Sequence, residues 1–148
     1  MADGTERARE ASGGTRSASV ATTGAPPTRS RVLIIDDDQG LSRLISLVLR
    51  GAGFDADVAN SGDDGLRLMG DKTYDVVVLD LKMPGKDGRE VFKEMREAGV
   101  RTPVMILSAY DARRASEDLG SEAYMNKPFE PDKLVEVLNS LLGKAPAN

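Results

Sequence analysis

Five side chains in this 148-residue sequence have the types needed to bind and transfer a phosphate: Asp36, Asp37, Asp80, Ser108 and Lys127. Each lies at the end of a short apolar run or just after one. Three carboxylates brought together repel one another, and a divalent cation relieves that repulsion. A site of a few carboxylates, a carbonyl and retained waters suits Mg²⁺, above all when a phosphate completes the shell. A carboxylate can also act as a nucleophile and become an acyl phosphate. The cation and the Lys127 ammonium would then offset charge on the moving phosphoryl group, and the Ser108 hydroxyl would donate a hydrogen bond to one of its oxygens.

Singly, each residue has a plainer reading. An Asp at a strand end is more often a helix cap or turn residue than a nucleophile. Asp38 reads as such a cap. Paired acids after a strand are often a solvated loop, and a Lys-Pro dipeptide is usually a surface turn. The chemical reading therefore depends on whether the chain brings these positions to one place.

The pattern from Arg31 onward alternates strand and helix. Val32-Leu33-Ile34-Ile35 is a strand. A helix follows with Leu41, Leu44, Ile45, Val48 and Leu49 at helical spacing, Asp38 as its N-cap and Gly51 or Gly53 as its stop. Phe54 to Ala59 reads as a second strand, and Ser61 with Asp64 as a capping box before Leu66 and Met69. Val76 to Leu79 is the third strand, followed by a capping box at Asp87 and Glu90. Val104 to Leu107 is the fourth strand, followed by a short helix over Ala112 to Leu119. Ala123 to Met125 is a fifth strand, and Pro131 opens a last helix. The strands are continuous apolar runs, which fits burial on both sides. The chain is thus read as α/β, a five-stranded parallel sheet with helices on both faces. Right-handed crossovers put the C-terminal ends of all strands on one edge, where ligands bind in such sheets. The five candidate residues meet there.

Composition narrows the chemistry. Cysteine and histidine are both absent, so thiol catalysis, zinc-thiolate sites, Ser-His-Asp triads and phosphohistidine cannot come from this chain. Any imidazole must be supplied by a partner. The formal net charge of −4 gives no reason to start from direct nucleic-acid binding. No apolar run approaches membrane-spanning length, and a cytoplasmic location is expected. Residues 1–30 contain 21 Ala, Gly, Ser, Thr or Pro and read as a disordered tail.

In order and in strand context, Asp36-Asp37, Asp80 in LDLKMPGKDG, Ser108-Ala109 and Lys127-Pro128-Phe129 closely resemble the receiver (CheY-like) domains of two-component response regulators. The resemblance covers residues 31–143, leaving a short tail at 144–148. It implies the flavodoxin-like strand order 2-1-3-4-5, an order for which a member of this family is a standard example. It implies that Asp80 accepts a phosphoryl group from a sensor histidine kinase or a histidine phosphotransfer protein. Mg²⁺ is then held directly by Asp37, Asp80 and the backbone carbonyl of Lys82, with Asp36 contributing through water. Lys127 and Ser108 bind the phosphoryl group, and Ser108 and Tyr124 are the switch hydroxyl and switch aromatic. Phosphorylation from a phosphodonor and autodephosphorylation, not enzymatic turnover, are the implied activities.

Other classes fit less well. A phosphohydrolase of the haloacid dehalogenase type would need an acid two residues after the nucleophile, where this chain has Lys82. A flavin-binding flavodoxin would need a hydroxyl- and glycine-rich loop after the first strand, where this chain has Asp36-Asp37-Asp38. A degenerate receiver, binding partners without phosphorylation, conflicts with the intact acids and Lys127.

Two further expectations follow. With no output domain after the last helix, the chain reads as a stand-alone regulator that switches an unidentified protein partner or passes the phosphoryl group onward. Ser108 and Lys127 are 19 positions apart, short of the family's usual spacing by about one helical turn. That makes the fourth helix short and the usual dimer face incomplete, so a monomer is expected without phosphate.

Overall fold

The computed structural model describes residues 29–143. The expected disordered tail up to residue 28, and the expected C-terminal tail, lie outside the described residues. Ten elements alternate: β1 (Arg31–Ile35), α1 (Gln39–Gly51), β2 (Asp55–Ala59), α2 (Gly62–Asp71), β3 (Val76–Asp80), α3 (Gly88–Glu97), β4 (Val104–Ser108), α4 (Ala112–Leu119), β5 (Ala123–Asn126) and α5 (Pro131–Leu141). The strands form one parallel sheet in the order β2-β1-β3-β4-β5. Both the order and the eight-residue α4 agree with the sequence reading.

Alternation within the strands divides the core in two. Val32, Ile34, Val76, Val78, Met105 and Leu107 pack with Ile45 and Leu49 of α1 and Leu134 and Leu138 of α5. Leu33, Ile35, Val77, Leu79, Val104 and Ile106 face the other way, onto Val91, Phe92 and Met95 of α3 and Ala115 of α4. These strand residues have no exposed surface. Each such side chain contributes about 1.5–3 kcal/mol relative to exposure, which makes β1, β3 and β4 a rigid frame. Among the described residues no helix is long and apolar enough to cross a membrane.

The helix ends follow from local chemistry. Asp38 caps α1 by accepting from the Leu41 N–H, and the helix runs to Gly51, with Gly53 at φ +96° turning the chain into β2. Asp87 and Glu90 form the full capping box expected for α3. The box expected at α2 is only half made. Ser61 accepts from the Asp64 N–H, but the Asp64 carboxylate reaches Arg67 instead of returning to the cap. Aspartate is one methylene shorter than the glutamate that completes such boxes. Each strand also differs from its expected span by one residue at one end: β1 starts at Arg31, β3 ends at Asp80 and β4 at Ser108. Phe54 lies just before β2 as a buried core residue, and β5 continues to Asn126.

Register places the candidate residues. Ile35 pairs with Leu79, Asp80 with Leu107, and Ser108 with Asn126. Asp36, Asp80, Ser108 and Lys127 therefore end their strands, or directly follow them, along one edge.

Candidate functional site

Asp36 is fully buried at the end of β1 and has each carboxylate oxygen engaged. Oδ1 accepts the Asp38 N–H at 3.0 Å and Oδ2 accepts Lys127 Nζ at 2.9 Å. Its carbonyl accepts from Asn60 Nδ2 at 2.8 Å, and the same amide donates to Ser42 Oγ at 3.1 Å. Asn60, which directly follows β2, thus fixes the end of β1 from the side.

Asp37 is exposed. Asp80, only 4% exposed, ends β3. Carboxylate oxygens of Asp36, Asp37 and Asp80 lie within 4.8 Å of one another. Lys127 Nζ stands 3.2 Å from Asp80 Oδ1 while bonding Asp36, so one ammonium bridges two buried acids. Its backbone is held by the Ser108 carbonyl, which accepts the Lys127 N–H at 2.8 Å. The Lys127–Pro128 peptide is cis.

Burial pushes the Asp80 carboxyl up to about 6, and the Asp36 charge adds to the shift. Lys127 and the Lys82 backbone N–H, which donates to the Asp80 carboxylate, oppose it only in part. For Lys127, burial disfavours the ammonium, but Asp36 and Asp80 outweigh it and hold the group above its ordinary value. Three carboxylates against one lysine leave the cluster two charges short of neutrality. An all-oxygen donor set with that excess fits a hard divalent cation such as Mg²⁺.

Lys82 follows Asp80 by two residues, and its ammonium lies 5.9 Å from the centre of the Tyr110 ring. Ser108 is buried, and its hydroxyl is turned onto its own loop: Oγ donates to the Tyr110 carbonyl at 2.8 Å and accepts the Tyr110 N–H at 3.1 Å. A cleft of about 460 Å³ opens beside the acids, between Lys82, Met83, Ser108, Tyr110 and Ala115. Tyr124 sits within β5, 42% exposed, and is not gathered with the acids.

Two positioning residues carry no signal in the sequence reading beyond their presence. Asn60 is one. Gly88 is the other: a Cβ there would collide with the Asp80 carbonyl and come within 2.8 Å of Leu81 Cα, so α3 can start against the end of β3 only with glycine in place. A glycine directly after a capping aspartate was the available hint, and it does not say what the helix start must approach.

Comparison with known proteins agrees with this geometry. Residues 32–139 match the response regulator receiver domain family. The transcriptional regulatory protein DltR of Streptococcus agalactiae is 38% identical over 109 residues, which is 71% of this chain and 48% of DltR. The chain thus spans about half the length of the curated relatives it matches. The receiver domain of Francisella response regulator 1452 superposes with a TM-score of 0.73 at 36% identity, covering 78% of this chain and 98% of that one. Thermotoga maritima TrrA, solved in complex with Mg²⁺-BeF, gives 0.69 at 32% identity, covering 76% and 99%. With its five-stranded 2-1-3-4-5 sheet and its acidic edge, the chain belongs to the receiver domains of two-component response regulators.

Proposed function

We propose that Asp80 accepts a phosphoryl group from a phosphohistidine of a sensor kinase or histidine phosphotransfer protein. The observation that carries this is the cluster of three carboxylates within 4.8 Å, with one ammonium bridging two of them. In the transfer, the donor's N–P bond breaks, its electron pair returns to the imidazole nitrogen, and a bond forms between phosphorus and an Asp80 oxygen. Because the chain has no histidine, the imidazole must belong to the partner.

Asp37, Asp80 and the Lys82 carbonyl would hold Mg²⁺ directly. Both Asp36 oxygens are already engaged by Asp38 and Lys127, which favours its acting through water. Bound there, the ion would neutralise acids that otherwise resist ionising together and draw in the phosphoryl oxygens. Lys127 keeps Asp80 oriented and is close enough to pair with a phosphoryl oxygen on it.

Ser108 supplies the readout. To bond the phosphoryl group, its hydroxyl must leave the Tyr110 carbonyl, which releases the loop before α4. Tyr124, exposed beside α4, is the aromatic that follows it. Two arrangements of this loop, differently populated with and without phosphate, are what a downstream protein partner would distinguish. A cytoplasmic location is part of the proposal, as is a monomeric state without phosphate.

Incubation with a small acyl phosphate and Mg²⁺ tests the reading. One hydroxylamine-sensitive phosphoryl group per chain is expected, and none on Asp80→Asn. Labelling of Asp80→Asn to the level of the parent protein would remove the assignment. Magnesium affinity of Asp37→Ala equal to the parent's would remove Asp37 from the metal shell.

A further inference from the structure

The metal site has two halves. Asp36 and Asp37 follow β1, whereas Asp80 and Lys82 belong to β3 and the loop 81–87. The loop's own contacts run to the end of β3 and back to its first residue. The Lys82 N–H bonds Asp80, and the Gly88 N–H donates to the Leu81 carbonyl at 3.0 Å. Neither contact ties the loop to the β1 half.

Lys86 does reach across. The loop turns at Gly85 (φ +74°), and Lys86 then lies against the start of α2. Its carbonyl is 2.9 Å from the point a Cβ on Gly62 would occupy, so the two backbones touch. Its ammonium stands 3.2 Å from Asp63 Oδ1 in the first turn of α2 and also pairs with Glu94 of α3. Its side chain is only 23% exposed, so it lies along the surface between the helices and does not project into solvent. The segment it grips leads back through Ser61 to Asn60, whose amide holds the Asp36 carbonyl. A continuous run of contacts therefore connects the Lys82 loop to Asp36 without passing through the acids.

We infer that Lys86 is a positioning residue for the metal site: its bridge to Asp63 and Glu94 sets where the loop carrying Lys82 lies relative to the β1 half. The inference rests on the phosphoacceptor reading above. Lys86 touches neither metal ligand nor phosphoryl group and acts through the loop it anchors. Groups that orient metal ligands from outside the shell typically govern affinity by tenfold or more. Asp63 is 81% exposed, however, so solvent and salt weaken this bridge. An effect of roughly three- to tenfold, shrinking at high ionic strength, is the result expected.

The test uses the ¹⁵N-labelled full chain, with Mg²⁺ affinity read from the amide shifts of Asp80 and Lys82. Lys86→Met should bind Mg²⁺ roughly three- to tenfold more weakly than the parent at low ionic strength. Lys86→Arg should stay within about twofold, and the gap between parent and Lys86→Met should close as NaCl is raised. Relaxation of amides 82–86 in the metal-free chain should show more motion in Lys86→Met and not in Lys86→Arg. If Lys86→Met matches the parent within about twofold, the inference is overturned. Should Lys86→Met fail to fold, the pair Asp63→Asn with Glu94→Gln removes the same bridge from the helix side, and parental affinity there overturns it equally. A parent chain without Mg²⁺-dependent shifts would overturn the phosphoacceptor reading and this inference with it. A parent that binds, beside a Lys86→Met that binds as well, overturns this inference alone.

Discussion

Towards the N-terminal ends of the strands, Asp57 of β2 accepts from the Tyr74 hydroxyl at 2.7 Å and from Lys72 at 3.2 Å. Asp75 accepts the Arg31 N–H, and Arg96 donates to the carbonyls of Val100 and Thr102 while pairing with Glu122. Glu122 in turn accepts the Val104 N–H. Here each of these charges meets an opposite charge or a backbone dipole. At the C-terminal ends, three carboxylates share one lysine. Burial opposes ionisation at both ends. At Asp57 it is outweighed by Tyr74 and Lys72, and the carboxyl sits below its ordinary value. At Asp80 burial and Asp36 prevail, and the carboxyl rises to about 6. The same physics closes one end of the sheet and leaves the other short of positive charge, and the open end is the one proposed to take a cation and a phosphoryl group.

The comparison breaks most easily at Lys127. If its role is functional, Lys127→Met should slow labelling from a small acyl phosphate on the order of 100-fold, while Mg²⁺ still shifts the Asp80 and Lys82 amides. If labelling stays within about threefold of the parent, Lys127 is only a structural partner, like Lys72 at the other end. Next in size is a gain of stability. Asp80→Asn removes a crowded buried charge, and the metal-free protein should become about 1–3 kcal/mol more stable at pH 7.5. The sign follows from proton binding. Between the ordinary 3.8 and about 6 the folded carboxyl holds its proton more than the unfolded one. Stability therefore falls as pH rises through that window, and the advantage of asparagine should vanish below about pH 4. Urea melts of both proteins in EDTA at the two pH values check this.

How much of this was visible beforehand depends on what fixed each feature. β1, β3 and β4 were legible because burial on both faces demands unbroken apolar runs, and Val32–Ile35, Val76–Leu79 and Val104–Leu107 are such runs. The meeting of Asp36, Asp80, Ser108 and Lys127 then followed from parallel topology alone. What escaped were contacts between elements distant in sequence. Asn60 reaches Asp36 across 24 positions, and Lys86 reaches Asp63 across two elements. Neither leaves a periodic trace. The missing return bond at Asp64 was a matter of one methylene, below what a spacing rule resolves.

The closed end should respond in the opposite sense to the open one. Asp57→Asn should lose stability, but Asp57 is about a third exposed, so solvent screening limits the loss to roughly 0.5–1 kcal/mol. Since its folded carboxyl is depressed, that contribution is present above about pH 4 and is lost as pH falls through the folded value. Burial, then Asp57, hold the Tyr74 hydroxyl above its ordinary value, so its share disappears as pH rises beyond about 10. Phosphorylation of Asp57→Asn should match the parent. A stabilising Asp57→Asn would erase the contrast between the two ends.

The most local effect expected lies within α4, which spans both ends of the sheet. Its upper end is tied by the Ser108–Tyr110 bonds and by the Ala112 N–H to Asn126 Oδ1 at 2.9 Å, next to the acids. There Asp111 caps the helix from a left-handed backbone (φ +40°), a conformation an aspartate tolerates better than most residues but still at a cost. Its lower end is tied by the Ser121 N–H to the Ser116 carbonyl and by the Glu122 N–H to the Val104 carbonyl, beside the Arg96–Glu122 pair. Between them the helix buries only Ala112, Ala115 and Ser116 fully, so little apolar area opposes local opening. On the proposed mechanism a phosphoryl mimic would draw Ser108 away from Tyr110 and leave the lower contacts untouched. Hydrogen exchange with and without beryllofluoride should therefore change about tenfold at Tyr110 and Ala112 and less than about twofold at Ser121 and Glu122. Equal changes at both ends would mean that α4 responds as one rigid unit and that the division between an open and a closed end stops at the sheet.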